Sequence, residues 1–209
     1  MLHHDPKGEI KKQLYKLKKY SLSENKDNKR NIEKLAKHVA KIHACNINQN
    51  DLEIYNAGWI IEQVCKIGDS RYKNDIILAS KIMSQVEFHN APLKDNKFLT
   101  WDINRSDWQG NYETGRVGSS AWDIACIINF ADDAQFSEIF LENYLRYGGT
   151  KPTLMVLYAN LYYIKVFESV KNNDFENVME ITKEILEEGA FKTDIISYET
   201  LLKLKITGY

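Results

Sequence analysis

Apolar residues recur at three- and four-residue spacing along most of the chain, which is the pattern of amphipathic helices. Asp5 followed by Pro6 is a favourable helix start. Ile10, Leu14 and Leu17 then fall on one face of a helix that runs to residue 20. A second apolar stripe begins at residue 31 and ends at the I-H-A-C-N-I-N run. The same reasoning predicts further helices at 51–68, 74–87, 121–130, 135–146, 152–170, 174–188 and 193–204.

The middle of the chain breaks this helical pattern. Pro92 cannot sit inside a helix, so we expect the preceding helix to end and residues 88–96 to form a loop. Residues 98–101 have strand composition, and a further short strand is predicted at Tyr112. The predicted fold class is therefore mainly α with a small β-hairpin, that is, α+β.

The length of 209 residues fits a single domain with one hydrophobic core. We divide this domain into three parts. A basic N-terminal helix and loop occupies 1–30, a core around the central loop occupies 31–130, and C-terminal helices occupy 131–209.

Composition says more about the setting of the protein than about its function. The net charge is −1, yet the first 45 residues carry twelve Lys and Arg against five Asp and Glu. A solvated lysine-rich helix face explains such a segment better than a nucleic-acid site, so we expect no nucleic-acid partner. Three cysteines without short spacing predict neither disulfides nor zinc, and no apolar run reaches the roughly 18 residues of a membrane span. We therefore predict a cytoplasmic protein without a membrane partner.

Residues 86–130 hold an unusual density of His, Asn, Asp and Trp. Phosphoryl transfer of the protein-kinase type needs an Asp that orients the acceptor hydroxyl, an Asn that binds a metal, and a second Asp that holds the metal against the phosphates. His89 and Asn96 stand at the spacing of the His and Asn in the kinase loop H-R-D-x-x-x-x-N. The position of the Asp in that loop holds Ala91.

The chain resembles the aminoglycoside phosphotransferase and choline kinase family, whose catalytic loop reads H-G-D-x-x-x-x-N. The segment G-S-S-A-W-D-I-A at 118–125 is similar to the family's G-D-P-A-W-D-L-A, and L-A-K-H-V-A-K-I-H at 35–43 is similar to the helix before the loop. The Y-L-R-Y-G-G stretch and the aromatic helix after it match the family's C-terminal lobe. The resemblance covers roughly residues 30 to 188. It implies the helical C-lobe of a protein-kinase-like fold, with 31–130 as the catalytic-loop-equivalent core.

The resemblance also implies that no catalytic set is intact. Ala91 stands at the base position and has no group that accepts a proton. The family's spacing places Asn111 where the metal-binding Asp belongs, twelve positions before Asp123. A neutral amide lacks the negative charge that magnesium favours. The chain also begins near the family's hinge, so we expect it to lack the N-terminal sheet lobe with its nucleotide-covering loop.

The remaining motif residues are expected to be structural or vestigial. Carried over from the family, His89 and Asp123 form a scaffold interaction that ties the loop to the following helix. Asn96 is a vestigial metal ligand or else a loop residue that bonds nearby backbone, and Asn111 is a vestigial metal ligand. His43 ends an apolar stripe, which predicts a partly buried packing residue.

Two carboxylates, Asp95 and Asp102, lie close enough along the chain to replace the lost base or metal ligand. This leaves open an alternative in which the chain is a phosphotransferase that uses a shifted carboxylate. A related alternative is a split enzyme whose N-terminal lobe comes from another chain. Either version would need Mg²⁺ and ATP as cofactors.

The first expectation is a pseudokinase-like binding or regulatory protein, derived from a small-molecule phosphotransferase and without a cofactor. Its partner would be a protein or a second copy of the chain, docked on the surface that the missing lobe leaves open. A plainer alternative is a helical interaction protein whose resemblance to the family is coincidental.

Overall fold

A computed structural model describes residues 5–20, 28–47, 52–67, 72–90 and 96–188. Within these ranges the chain is mainly helical and carries five short strands. The helices are α1 (Pro6–Leu17), α2 (Lys29–His43), α3 (Ala57–Cys65), α4 (Lys73–Asn90), α5 (Ser120–Ala131), α6 (Ala134–Arg146), α7 (Leu154–Asn172) and α8 (Glu176–Glu188). The strands are β1 (Glu53–Tyr55), β2 (Asn96–Phe98), β3 (Trp101–Asp102), β4 (Asp107–Trp108) and β5 (Arg116–Ser119).

The chain folds as two compact units. The first comprises Met1–Ile54 and Lys94–Lys151, and the second comprises Tyr55–Leu93 and Pro152–Tyr209. Each unit is built from two separate stretches of the chain.

Polar side chains fix where the helices begin. Asp5 Oδ1 accepts a hydrogen bond of 3.0 Å from the Gly8 amide, and Pro6 follows as the first helical residue, as its sequence predicts. The other helices with a capping side chain start in the same way, with the cap at Asn28, Asn56, Ser119, Asp133 or Thr153. These caps satisfy amide groups that have no partner inside the helix.

The strands form two small sheets. Three strands lie in the order β1-β5-β2, and β2 and β5 pair antiparallel with Asn96 opposite Ser119 and Phe98 opposite Val117. β3 and β4 form a separate hairpin with Trp101 opposite Trp108. Because β5 runs directly into α5, this pairing fixes the start of that helix next to β2.

The core of the first unit lies among α2, α5 and α6. Trp122, Phe136, Phe140 and Tyr144 are all buried there, and the rings of Phe136, Phe140 and Tyr144 stack in succession along α6. In the second unit α7 is buried along most of its length and packs against α4 and α8. Each unit therefore has an apolar interior of its own.

The predicted positions of the C-terminal helices are confirmed at α6, α7 and α8. Three local predictions are wrong. Residues 53–55, expected inside a helix at 51–68, form strand β1 because they pair with β5, and the helix begins only at Ala57. Residues 88–90 were expected in a loop but continue α4. A proline restricts most strongly the residue directly before it, so Pro92 is compatible with a helix that ends at residue 90. The predicted strand at Tyr112 is a turn, closed by a bond from the Gly115 amide to the Tyr112 carbonyl, and the strand begins at Arg116. The helix predicted at 193–204 lies outside the described residues.

No helix in the described ranges has the length and apolar character needed to cross a membrane.

Gly115 gives a direct test of the packing around the turn at 111–115. A Cβ atom there would lie 2.2 Å from the ring of Phe98, which is buried and stacked on Tyr112. We expect Gly115→Ala to lower the free energy of unfolding by about 1–3 kcal/mol in urea denaturation, because the ring has to move. Gly110→Ala is the control, since its Cβ would meet only the flexible end of Arg105, at 3.1 Å. Equal stability of the two variants would contradict this packing.

Candidate functional site

The site implied by the sequence is centred on the first turn of α5. Ser119 caps this helix, with its hydroxyl accepting from the Ala121 amide at 3.1 Å. Asp123 follows within the first turn, where the helix dipole favours a negative charge. The side chain of Asp123 is fully buried at 0% exposure.

Four hydrogen bonds converge on the Asp123 carboxylate. Its Oδ2 atom accepts from the Thr100 amide at 2.8 Å, the Thr100 hydroxyl at 2.5 Å and His43 Nε2 at 3.0 Å. Its Oδ1 atom accepts from the Trp101 amide at 2.8 Å. A buried carboxylate is costly unless it is bonded in this way, so residues 100 and 101 are held by Asp123 against the start of α5.

The histidine of this cluster is bonded on both sides. His43 Nδ1 lies 2.8 Å from the Tyr144 hydroxyl, and the two rings meet edge to face with centroids 5.6 Å apart. A neutral ring protonated on Nε2 satisfies both contacts, donating to Asp123 and accepting from Tyr144. The chain Asp123, His43, Tyr144 thus links α5, α2 and α6 through the interior of the first unit.

The histidine that bonds Asp123 is not the one the resemblance implied. His89 lies exposed in the last turn of α4, where its ring contacts that of Phe88. The histidine bonded to Asp123 is His43. Sequence reasoning placed His43 at the end of a buried stripe but gave it no polar partner. A buried histidine needs a hydrogen-bond partner. An Asp expected to be buried, such as Asp123, was the signal that could have identified the partner of His43.

Asn111, which the resemblance places at the metal position, lies exposed in the turn at 111–115. Its Oδ1 atom accepts from the Thr114 amide at 2.9 Å and from the Thr114 hydroxyl at 3.0 Å. An amide oxygen has two lone pairs, and both are directed to Thr114. Asn111 therefore closes the turn as an Asx residue does.

The same turn is attached to α1 by positive charges. Lys11 Nζ lies 2.6 Å from Glu113 Oε1, and Lys7 Nζ lies 3.6 Å from the same atom. The bond from Lys11 lowers the pKa of Glu113. Lys7 Nζ also lies 5.1 Å from the ring centre of Tyr112. The carboxylate nearest to Asn111 along the chain is thus engaged by lysines.

The other predicted residues are distributed around the small sheets. Asn96 begins β2 opposite Ser119 and is half-buried. Asp102 lies on β3, opposite Asp107 on β4, and its Oδ1 atom accepts from the Asn104 amide at 3.1 Å. Ala91 and Asp95 lie outside the described residues. Across the parts of the chain that are described, no three His, Cys, Asp or Glu side chains converge as metal ligands would.

The chemistry open to the Asp123 cluster is set by its burial. Asp123 and Tyr144 are 0% exposed and His43 is 3% exposed. A catalytic residue must touch its substrate. None of these three side chains reaches the surface of the protein. We interpret the cluster as a structural connection between helices.

The arrangement of helices and small sheets identifies the fold type of the chain. The chain has the kinase-like fold of the choline kinase and aminoglycoside phosphotransferase type, as the resemblance implied. A similar solved structure is that of a choline/ethanolamine kinase family protein from Mesorhizobium loti. The match covers 98% of this chain and 77% of the other, with a TM-score of 0.50 and 9% sequence identity. No protein-family model and no curated protein sequence matches the chain.

The two histidines provide a matched test of the cluster. We expect His43→Ala to lower the free energy of unfolding by about 2–4 kcal/mol, because it leaves Asp123 short of a donor, frees the Tyr144 hydroxyl and opens a cavity. His89→Ala removes an exposed ring, and we expect a change below about 0.5 kcal/mol. Chemical denaturation of both variants measures the difference. A larger loss in His89→Ala would restore the original assignment.

Proposed function

We propose that this protein is a binding or regulatory protein built on a phosphotransferase-type scaffold, and that it does not transfer phosphate. The observation that carries the proposal is the bonding of Asn111. Its only oxygen is engaged twice by Thr114, and its amide nitrogen is a donor that no cation binds. The position that would hold the metal in a phosphotransferase of this family closes a turn instead.

The charges around this turn support the same conclusion. A magnesium ion in a phosphoryl-transfer site needs carboxylates to offset its charge. Glu113 is the carboxylate nearest to Asn111 along the chain, and Lys11 and Lys7 already neutralise it. A cation placed there would compete with two ammonium groups, which makes its binding unfavourable.

The scaffold, in contrast, is retained. Asp123 and His43 hold α5, α2 and residues 100–101 together without any exposed reactive group. With Ala91 at the base position the expected loss of rate is about two to four orders of magnitude, before the metal site is considered. Such a molecule is suited to recognition, and the partner we expect is a cytoplasmic protein or a second copy of the chain.

The test is a direct assay of the full chain with ATP, magnesium and an acceptor. Choline, ethanolamine and an aminoglycoside such as kanamycin are the acceptors to use, with phosphorylated product measured by phosphorus NMR. We expect no product above the protein-free rate. Magnesium-dependent product would contradict the proposal. Loss of that product in Asp95→Asn or Asp102→Asn would then establish the shifted-carboxylate alternative.

A variant with added carboxylates tests why the chain is proposed not to bind magnesium. We expect Ala91→Asp combined with Asn111→Asp to raise magnesium affinity at least tenfold over the natural chain in calorimetry, because it restores both carboxylates. Asn172→Asp, which adds a carboxylate at the exposed end of α7, is the control and should leave magnesium affinity unchanged. Equal affinity in the double variant and the natural chain would show that Asn111 is not what prevents metal binding.

A further inference from the structure

The exposed side of α1 and α2 is strongly basic, and the two helices are fixed side by side. Ile10, Leu14 and Leu17 of α1 are buried, so the lysines of that helix are directed away from the core. Gln13, which is fully buried, joins the helices through a contact of 2.6 Å between its Oε1 atom and His38 Nδ1. The two rows of lysines therefore belong to one surface.

The lysines converge around His38. Lys34 and Lys41 lie four positions before and three after it on α2, and Lys16 lies one turn after Gln13 on α1. Burial, and then the charges of Lys16, Lys41, Lys37 and Lys34, lower the pKa of His38 to about 4. Among the described residues no carboxylate lies within ion-pair distance of these four lysines.

The remaining charged and aromatic groups at this place are accounted for. Glu9 accepts from Gln13 Nε2 at 2.5 Å and pairs with Lys12 at 3.7 Å. Lys37 Nζ lies 5.1 Å from the ring centre of Tyr147. The ring of Tyr20 lies 6.3 Å from that of His38. Glu9 also interacts with Lys16 and Lys41, so lysines outnumber carboxylates among the described charged groups around His38.

An exposed aromatic ring lies on the outer side of α1. Tyr15 is 67% exposed, and its neighbours three and four positions away on either side are all lysines: Lys11, Lys12, Lys18 and Lys19. Lys19 Nζ lies 5.0 Å from the ring centre. From sequence alone these lysines looked like a solvated helix face. The structure adds a flat, open ring in their midst and a second row of lysines alongside.

We propose that this surface, formed by Tyr15 and the lysines of α1 and α2 around His38, binds single-stranded nucleic acid. The lysines would neutralise phosphates, and the ring of Tyr15 would stack on a base. Lys7 and Lys11 pair with Glu113, and the part of the row from Lys12 to Lys19 spans about 10 Å, enough to follow a few nucleotides. This proposal does not depend on the loss of phosphoryl transfer.

Two other polyanions fit the surface less well. An anionic membrane would take up apolar side chains of α1, but Ile10, Leu14 and Leu17 are buried in the unit. An acidic protein would use the lysines and gain little from an exposed ring that is surrounded by them. Stacking on a base uses both features together.

The experiment titrates the full chain into fluorescently labelled 12-residue oligo(U) and oligo(dT) and follows anisotropy. We expect saturable binding that weakens with added salt. Tyr15→Ala should weaken it at least fivefold, which is the lower end of the range for loss of one stacked base. Heparin, a polyanion without bases, should bind Tyr15→Ala as well as the natural chain. Tighter binding of one oligonucleotide would identify RNA or DNA as the favoured ligand.

Lysine variants test the second part of the surface. Lys16→Gln combined with Lys41→Gln should reduce the slope of log affinity against log salt by about 1.4, since each phosphate contact on a single strand contributes about 0.7. Lys81→Gln, on the exposed face of α4, is the matched control and should leave the slope unchanged. Thermal melting of each variant separates a loss of binding from a loss of fold.

The pKa of His38 provides a further test, because it should change only if phosphates bind to the lysines around it. Bound phosphates offset the lysine charges, so NMR titration should show the pKa of His38 rising when oligo(U) is added. Several results would overturn the proposal: no oligonucleotide binding, equal binding by Tyr15→Ala, or stronger binding of phosphatidylserine vesicles or of an acidic polypeptide such as polyglutamate than of either oligonucleotide.

Discussion

The buried carboxylate of Asp123 is the constraint on which the first unit depends. A carboxylate without exposure to water has to be satisfied by hydrogen bonds, and leaving a buried polar group short of a partner typically costs about 1–3 kcal/mol, and more for a charged group. Here the donors come from His43 on α2 and from residues 100 and 101, where the chain enters β3. The bonds that Asp123 requires therefore fix the start of α5 against α2 and against residues 100–101. The bond between His43 and Tyr144 adds α6 to these elements.

The connection explains how a fold of this type can keep its shape while its chemistry changes. None of the bonds to Asp123 in the described part of the chain involves Asn111, the residue that the resemblance places at the metal position. The bonds made by Asp123 are therefore independent of Asn111. The turn at 111–115 has its own support, from Thr114 within the turn and from Lys11 on α1. We interpret scaffold and chemistry as separable in this chain.

Sequence patterns predicted the helices well because apolar spacing and caps are local. Asp5, for instance, caps α1 where the sequence places it. The strands were predicted poorly, since Asn96–Phe98 and Arg116–Ser119 are short and defined by each other across a long connection. The partner of Asp123 was missed for the same reason: His43 is 80 residues away, and family spacing pointed to His89. Tyr15 looked like one more position on a lysine-rich helix until its exposure was known.

Native-state hydrogen exchange of the Thr100 and Trp101 amides tests the central claim most directly. If Asp123 holds this segment as part of the interior, both amides should exchange only through opening of the whole first unit, with the same free energy as its most protected core amides in α5 and α6. Exchange of Thr100 and Trp101 through a local opening, at a free energy several kcal/mol below that of those core amides, would contradict the account.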